Sequence, residues 1–243
     1  RTKATNMRLI LMGTGPFAVP SFQSLLDSDH QIAAVVTRPV PPARGRRKGP
    51  VNPVREMEWR GDIPILDPPD VNTDQAQSLL VPFAADVLVV CDYGQILSNQ
   101  TLSLSRLGGI NLHGSLLPKY RGAAPVNWAI WNGEKQSGVT VIHMTPRLDG
   151  GPVLVTRETA IDDQETAGEL EERLSLIGVD ATPVKTIADL KQKLSVLDKS
   201  RGRRKGPPGA CHCSGSRPGD AGACGSLLLG EGGLDGGGGG VCR

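Results

Sequence analysis

Gly109-Ile110-Asn111-Leu112-His113-Gly114-Ser115-Leu116-Leu117-Pro118-Lys119-Tyr120-Arg121-Gly122-Ala123-Ala124-Pro125 reads as a short strand running into a polar loop. Alternate side chains of an extended chain share a face, so Asn111 and His113 project together while Ile110 and Leu112 point the other way into packing. An amide and an imidazole therefore stand side by side at a strand end. In open parallel sheets, ligands collect outside the carboxyl ends of strands, where the following loop supplies backbone donors and specificity contacts. Residues 115–125 occupy the position where such contacts are made.

Outward from this stretch, apolar runs alternate with helical spacing in both directions. Residues 7–12 form an apolar run ending at Gly13, the pattern of a buried parallel strand. The turn Gly13-Thr14-Gly15-Pro16-Phe17-Ala18 leads into a helix over 17–26, where Pro20 is tolerated near the first turn. Further strands are expected at 31–37, 63–66, 85–91, 137–144 and 153–161. Helical segments are expected at 54–60, 74–81, 98–107, 125–131 and 182–194. Another starts at Thr166, which has capping-box spacing to Glu169, and its Leu170, Leu174 and Ile177 repeat at helical spacing. Strands alternating with helices predict an α/β fold, a doubly wound and mostly parallel sheet, over residues 7–195.

Gly13, Gly15 and Ala18 satisfy the dinucleotide fingerprint, which raises an NADP-binding module as one reading. The strand at 31–37 ends without the acidic residue that grips a ribose hydroxyl, and Arg38 suits at best a 2′-phosphate. The plainer reading is a glycine turn that lets backbone approach a ligand or a neighbouring loop.

Asn-Leu-His-Gly-Ser-Leu-Leu-Pro at 111–118, Arg-Gly-Ala-Ala-Pro at 121–125 and Leu-Asp-Gly-Gly-Pro at 148–152 together resemble the folate-dependent formyltransferases. The similarity covers residues 7–190 and is greatest to the branch whose acceptor is methionyl-tRNA. Taken singly, a histidine after a strand is a loop hydrogen-bonder, an asparagine a turn former and Asp-Gly-Gly a tight turn. The resemblance instead implies a catalytic set of Asn111, His113 and Asp149, and a Rossmann-like formyltransferase fold. It implies 10-formyltetrahydrofolate as co-substrate, with no metal. It places the turn Ser115, Leu116, Leu117 and Pro118 at the folate site, together with Tyr93 and Gly94 after the strand at 85–91. Asp92 departs from the small apolar residue the family pattern carries there. The acceptor implied is the α-amine of initiator methionyl-tRNA, on a cytoplasmic monomer. Formylation of a nucleotide-linked amino sugar shares the 111–122 wording and is the competing acceptor.

The chemistry asked of such a site is attack of a primary amine on the formyl carbon. The formyl oxygen becomes an oxyanion, and fixed donors must stand where that charge develops. Asn111 and His113 are the candidate donors, and Asp149 the carboxylate that assists His113 and relays a proton. His143 falls in a predicted strand, where it faces either the cleft or the core.

Arg38, Arg44, Arg46, Arg47 and Lys48 lie on a proline-rich stretch with no acidic residue before Glu56. Prolines 39, 41, 42, 50 and 53 forbid a helix there, and loops of that length in compact domains are commonly functional or disordered. The resemblance assigns Arg44, Arg46, Arg47 and Lys48 to the tRNA acceptor arm. The net charge of +2 is too mild to diagnose a nucleic-acid partner by itself. No run approaches the roughly 18 apolar residues of a membrane span, and the polar start with an initiator expected at Met7 does not read as a secretory signal.

From residue 201 the character changes, with glycine at 15 of the last 43 positions. No core can be built from that composition, so residues 196–243 are expected to be a low-complexity disordered tail. Cys211, His212, Cys213, Cys224 and Cys242 match none of the usual zinc spacings. RGRRKGP at 44–50 recurs at 201–207, consistent with an altered end, and the β-barrel that the family places after its catalytic domain is not read in the tail.

Overall fold

The computed structural model describes residues 6–41 and 51–181. Seven strands form one sheet: β1 (Arg8–Met12), β2 (Gln31–Val36), β3 (Ile65–Leu66), β4 (Val87–Cys91), β5 (Gly109–His113), β6 (Gln136–His143) and β7 (Val153–Ala160). Their order is β3-β2-β1-β4-β5-β6-β7, with β1 to β5 parallel and β6 and β7 antiparallel. The expected doubly wound, mostly parallel sheet is therefore present, and every predicted strand is in it.

Alternation along the strands sorts the core into two layers. Leu9, Leu11, Val87, Val89, Ile110 and Leu112 belong to one cluster, and Ile10, Met12, Leu88 and Val90 to the other. The first layer packs under α1 (Val19–Leu26), α5 (Pro125–Trp131) and α6 (Ala167–Ala181); Phe22, Leu25, Val126, Leu170 and Leu174 are among its helical members. The second carries Leu80 of α3 (Asp74–Leu80) and Leu102 of α4 (Asn99–Leu102). Each fully buried Leu, Ile or Val side chain contributes about 1.5–3 kcal/mol of hydrophobic stabilisation. Two faces filled this way explain why the parallel strands read as unbroken apolar runs.

The chain folds outward from β1 to β2 and β3 on one side, then returns to place β4 on the other. β1 and β4 thus flank the topological switch point, outside whose carboxyl ends α/β proteins bind ligands. Gly13 to Gly15 follow β1 there, and Asp92 to Leu97 follow β4.

Some elements are shorter than expected. The helix predicted over 54–60 is only α2 (Pro53–Glu56), with Met57 extended at ψ 147. The indole N–H of Trp59 donates to the Val54 carbonyl at 3.1 Å, taking an acceptor that a continuing helix would use. The segment 98–107 holds one turn, α4. α6 starts with the predicted box: Thr166 N–H donates to Glu169 Oε2 at 2.9 Å, and Glu169 N–H to Thr166 Oγ1 at 3.3 Å. The helix expected at 182–194, the glycine-rich tail and the residues Arg44, Arg46, Arg47 and Lys48 lie outside the described residues. Among the described residues, Asn52 Nδ2 donates to Thr37 Oγ1 at 2.8 Å and to the Arg38 carbonyl at 3.1 Å.

Candidate active site

Register places the central amide. Val90, Asn111 and Ile142 are partners across β4, β5 and β6, and all three line one cleft of about 450 Å³. Asn111 is the polar member of an apolar row, as alternation along 109–113 required. The segment after β4, including Tyr93, Gly94 and Leu97, also lines the cleft, as do Gly122, Ala124 and Leu148.

The β6–β7 loop folds back over this row and delivers Asp149. Asn111 Nδ2 donates to Asp149 Oδ1 at 3.2 Å, and Asp149 Oδ2 lies 3.7 Å from His113 Nδ1. The three predicted catalytic residues are therefore brought together. Asp149 has φ of 40°, a left-handed conformation that costs a non-glycine residue free energy and persists only where neighbours enforce it. Gly122 N–H donates to its Oδ2 at 2.9 Å, and Arg121 Nε to its carbonyl at 3.1 Å. Gly151 completes the loop by close approach: a Cβ there would stand 1.8 Å from the His143 carbonyl oxygen.

His113 is buried, with 8% of its side chain exposed. Its Nε2 is 2.8 Å from the Tyr120 carbonyl, which can only accept, so Nε2 carries the proton. Nδ1 is then the nitrogen presented to Asp149. At 3.7 Å the two groups are paired without a direct hydrogen bond. Nδ1 is consequently the ring atom free to exchange a proton beside the cleft.

The wall after β4 is locked from behind. Gln95 Oε1 accepts from Val71 N–H at 2.9 Å, and Asn72 Nδ2 donates to the Ile96 carbonyl at 2.9 Å. Tyr93 turns its ring into the second core layer, where burial pushes the phenol well up and its hydroxyl meets no partner among the described residues. Gly94, at φ 78°, lies beside Arg38, whose guanidinium a Cβ would meet at 3.2 Å.

Ser115, Leu116, Leu117 and Pro118 are not among the residues lining this cleft. The Ser115 hydroxyl donates to the Lys119 carbonyl at 2.7 Å, its carbonyl accepts from Thr140 Oγ1 at 2.7 Å, and Leu117 N–H donates to Thr140 Oγ1 at 3.1 Å. Leu116 lines a separate cavity of about 300 Å³. The turn braces β5 against β6 behind His113. His143 faces packing as well, its Nε2 donating to the Leu107 carbonyl at 2.9 Å.

The glycine turn after β1 offers no cradle for a pyrophosphate. Gly13 N–H donates to the Val36 carbonyl at 3.0 Å, and Thr14 and Gly15 N–H donate to the Asp92 carbonyl at 3.0 and 3.3 Å. The amides that a dinucleotide site needs are thus spent within the protein, contrary to the NADP reading. The Asp92 carboxyl lies against Gly15, where a Cβ would be 1.7 Å from its Oδ2. It borders the cleft and meets solvent, yet protein walls it on most sides. Loss of surrounding water, with a smaller contribution from Glu171, raises it to about 6. Among the described residues no group of three or more His, Cys, Asp or Glu side chains is placed to hold a metal ion.

An amide and a carboxylate lining one cleft, with an imidazole 3.7 Å from the carboxylate, agree with a comparison across known proteins. The profile described as Formyl transferase matches residues 6–185. The chain belongs to the formyl transferase family. It is 55% identical over 186 residues to methionyl-tRNA formyltransferase of Rhodopirellula baltica, covering 75% of this chain and 56% of that protein. The same enzyme of Acetivibrio thermocellus is 42% identical over 174 residues, covering 72% and 56%. The chain thus spans about half the length of these curated relatives. Among solved structures, glycinamide ribonucleotide transformylase 1 from Geobacillus kaustophilus superposes with a TM-score of 0.60 at 23% identity, over 74% of this chain and 96% of that one. That likeness is one of fold.

Sequence reasoning missed the residues that hold this candidate site in shape. Tyr120 and Gly122 act through backbone groups, Arg121 through its side chain on a backbone carbonyl, and no residue-type pattern marks such roles. Tyr120 at φ 55° and Gly122 at φ 91° turn the chain twice through left-handed conformations within three residues, and of these only the glycine was a signal in the sequence.

Proposed function

We propose that this chain transfers the formyl group of 10-formyltetrahydrofolate to the α-amine of initiator methionyl-tRNA. The observation that carries this reading is the convergence of Asn111, His113 and Asp149, with Asn111 and Asp149 lining a 450 Å³ cleft and His113 buried beside Asp149. The folate lies in the cleft against Tyr93 and Gly94, and the Ser115, Leu116, Leu117 and Pro118 turn supports that site from behind His113.

The amine nitrogen bonds to the formyl carbon and the C=O electrons move to oxygen. One Asn111 N–H is held by Asp149; the other donates to this oxyanion, together with a proton from His113 Nδ1. Asp149 takes up the amine proton through a bound water as its partner His113 returns to neutrality. As the C=O bond re-forms the oxygen's proton returns to His113 Nδ1, the bond from carbon to N10 breaks, and N10 receives the amine proton held by Asp149, so formyl amide and tetrahydrofolate leave with protons balanced.

The tRNA acceptor is supported by the relatives' names and by the cations Arg44, Arg46, Arg47 and Lys48. A nucleotide-linked amino sugar is the competing acceptor, because both share the 111–122 wording. The chemistry belongs to protein biosynthesis in the cytoplasm, and no described helix is long and apolar enough to cross a membrane. Incubation with 10-formyltetrahydrofolate and either acceptor tests the assignment: formyl-methionyl-tRNA is expected, and formylation of the amino sugar alone would reverse it.

A further inference from the structure

The segment 120–122 touches both proton-handling groups. The Tyr120 carbonyl receives His113 Nε2–H at 2.8 Å, and Gly122 N–H holds Asp149 Oδ2 at 2.9 Å. A backbone carbonyl is only as well placed as the chain that carries it, and this one belongs to a residue at φ 55°. The side chain of that same residue is tied down on the far side. Tyr120 O–H donates to Glu134 Oε1 at 2.7 Å and accepts from Asn132 Nδ2 at 3.0 Å. Both partners lie on the turn between α5 and β6, where Gly133 takes φ of 64° and Glu134 N–H donates to the Ala129 carbonyl at 3.0 Å. Glu134 also pairs with Lys119 Nζ at 2.9 Å, and this cation and the Tyr120 hydroxyl hold its carboxyl below the usual range.

We propose that Tyr120 is a positioning residue for formyl transfer, its hydroxyl anchored by Glu134 so that its carbonyl fixes the tautomer and angle of His113 while the adjoining Gly122 holds Asp149. The inference rests on the catalytic reading of His113 and Asp149. The ring and backbone of one residue act as a strut from the α5–β6 turn to the imidazole. Removing the anchor leaves every reacting group present and lets the clamp relax. A displacement of this kind lowers the rate of the chemical step, whereas binding in the cleft across from it is untouched.

Tyr120→Phe removes the hydroxyl and keeps the ring in its packing. It should lower kcat about 10-fold, with KM for the folate unchanged. Glu134→Gln retains an oxygen to accept from the hydroxyl and should keep kcat near the parent value. Glu134→Ala should reproduce Tyr120→Phe, and the double variant should be no worse than either single one, since both cut the same link. Lys119→Ala breaks only the ion pair and should be silent. If Tyr120→Phe does not fold, the Glu134→Ala and Glu134→Gln pair decides alone. Parent-like kcat in Tyr120→Phe or Glu134→Ala, or equal losses in Glu134→Gln and Glu134→Ala, would overturn the proposal. His113→Ala run in parallel separates the two levels: if it keeps full turnover, the catalytic reading fails, not the strut.

Discussion

Asn111 Nδ2 donates to Asp149 Oδ1 at 3.2 Å, tying an amide on β5 to a carboxylate on the β6–β7 loop across 38 positions of sequence. This bond fixes the amide plane, so the second N–H is aimed before substrate arrives. A donor oriented in advance costs no reorganisation when charge develops, the condition under which such groups lower a barrier most. Asn111→Ala should therefore reduce turnover by about 10²-fold or more, with folate affinity little changed. Asp149→Asn keeps the shape but removes the proton acceptor, and should fall by a similar factor. Equilibrium folate binding beside steady-state turnover checks both; weakened binding with intact kcat would reassign these residues to ligand affinity.

Gly151→Ala should disturb the same loop from its other end. The added Cβ would sit 1.8 Å from the His143 carbonyl, so backbone must move and the Asp149 loop moves with it. Overpacking of this kind costs about 1–3 kcal/mol. A lowered melting temperature together with reduced turnover is expected, whereas Gly168→Ala, where a Cβ meets nothing within 4 Å, should leave both unchanged.

Asp92 gives the fold a pH dependence of defined sign. Its carboxyl stands at about 6 instead of 3.8, chiefly from desolvation and then from Glu171. Between about pH 4 and pH 6 the folded chain holds a proton that the unfolded chain has released, so stability falls as pH rises through this window. Above it the carboxylate is a burden, reduced by its partial solvation. Asp92→Asn should raise the melting temperature modestly at pH 7.5 and by nothing near pH 4. A gain that is the same at both pH values would contradict this account.

The cations at 44–48 separate a polyphosphate acceptor from a small one. Each phosphate contact releases counterions, so changing Arg44, Arg46, Arg47 and Lys48 to alanine should flatten the salt dependence of tRNA binding by about one unit of slope per residue lost. Folate binding should be unaffected, since these four residues are separated in sequence from Asn111, His113 and Asp149 by at least two strands of the sheet. Unaltered tRNA affinity with an unaltered slope would move the amino-sugar acceptor ahead.

What could be read from sequence alone follows the range of the forces involved. The run 87–91 announced itself because a strand buried on both faces must be apolar throughout, and period two put Asn111 and His113 on one face of 109–113 without reference to anything distant. The reversal of β6 and β7 was not legible, since an antiparallel pair at a sheet edge uses the same residue types as a parallel one. Helix length failed where a side chain of the segment itself turned back on its backbone, as Trp59 does at Val54. The turn at 115–118 shares its wording with a folate-binding family, and its bonds to Thr140, through the Ser115 carbonyl and the Leu117 amide, were not legible because their partner lies in β6. Tyr120 was invisible as a functional residue because its contribution to His113 passes through a carbonyl that every residue possesses.

The central claim, that His113 and its partners drive formyl transfer to methionyl-tRNA, is tested most directly by a single-turnover assay of the parent chain and His113→Ala with 10-formyltetrahydrofolate and methionylated initiator tRNA. The parent should form formyl-methionyl-tRNA, and the variant should be slower by about 10²-fold or more while binding folate as before. A His113→Ala rate equal to the parent's, or a parent that formylates no methionyl-tRNA, would contradict the account.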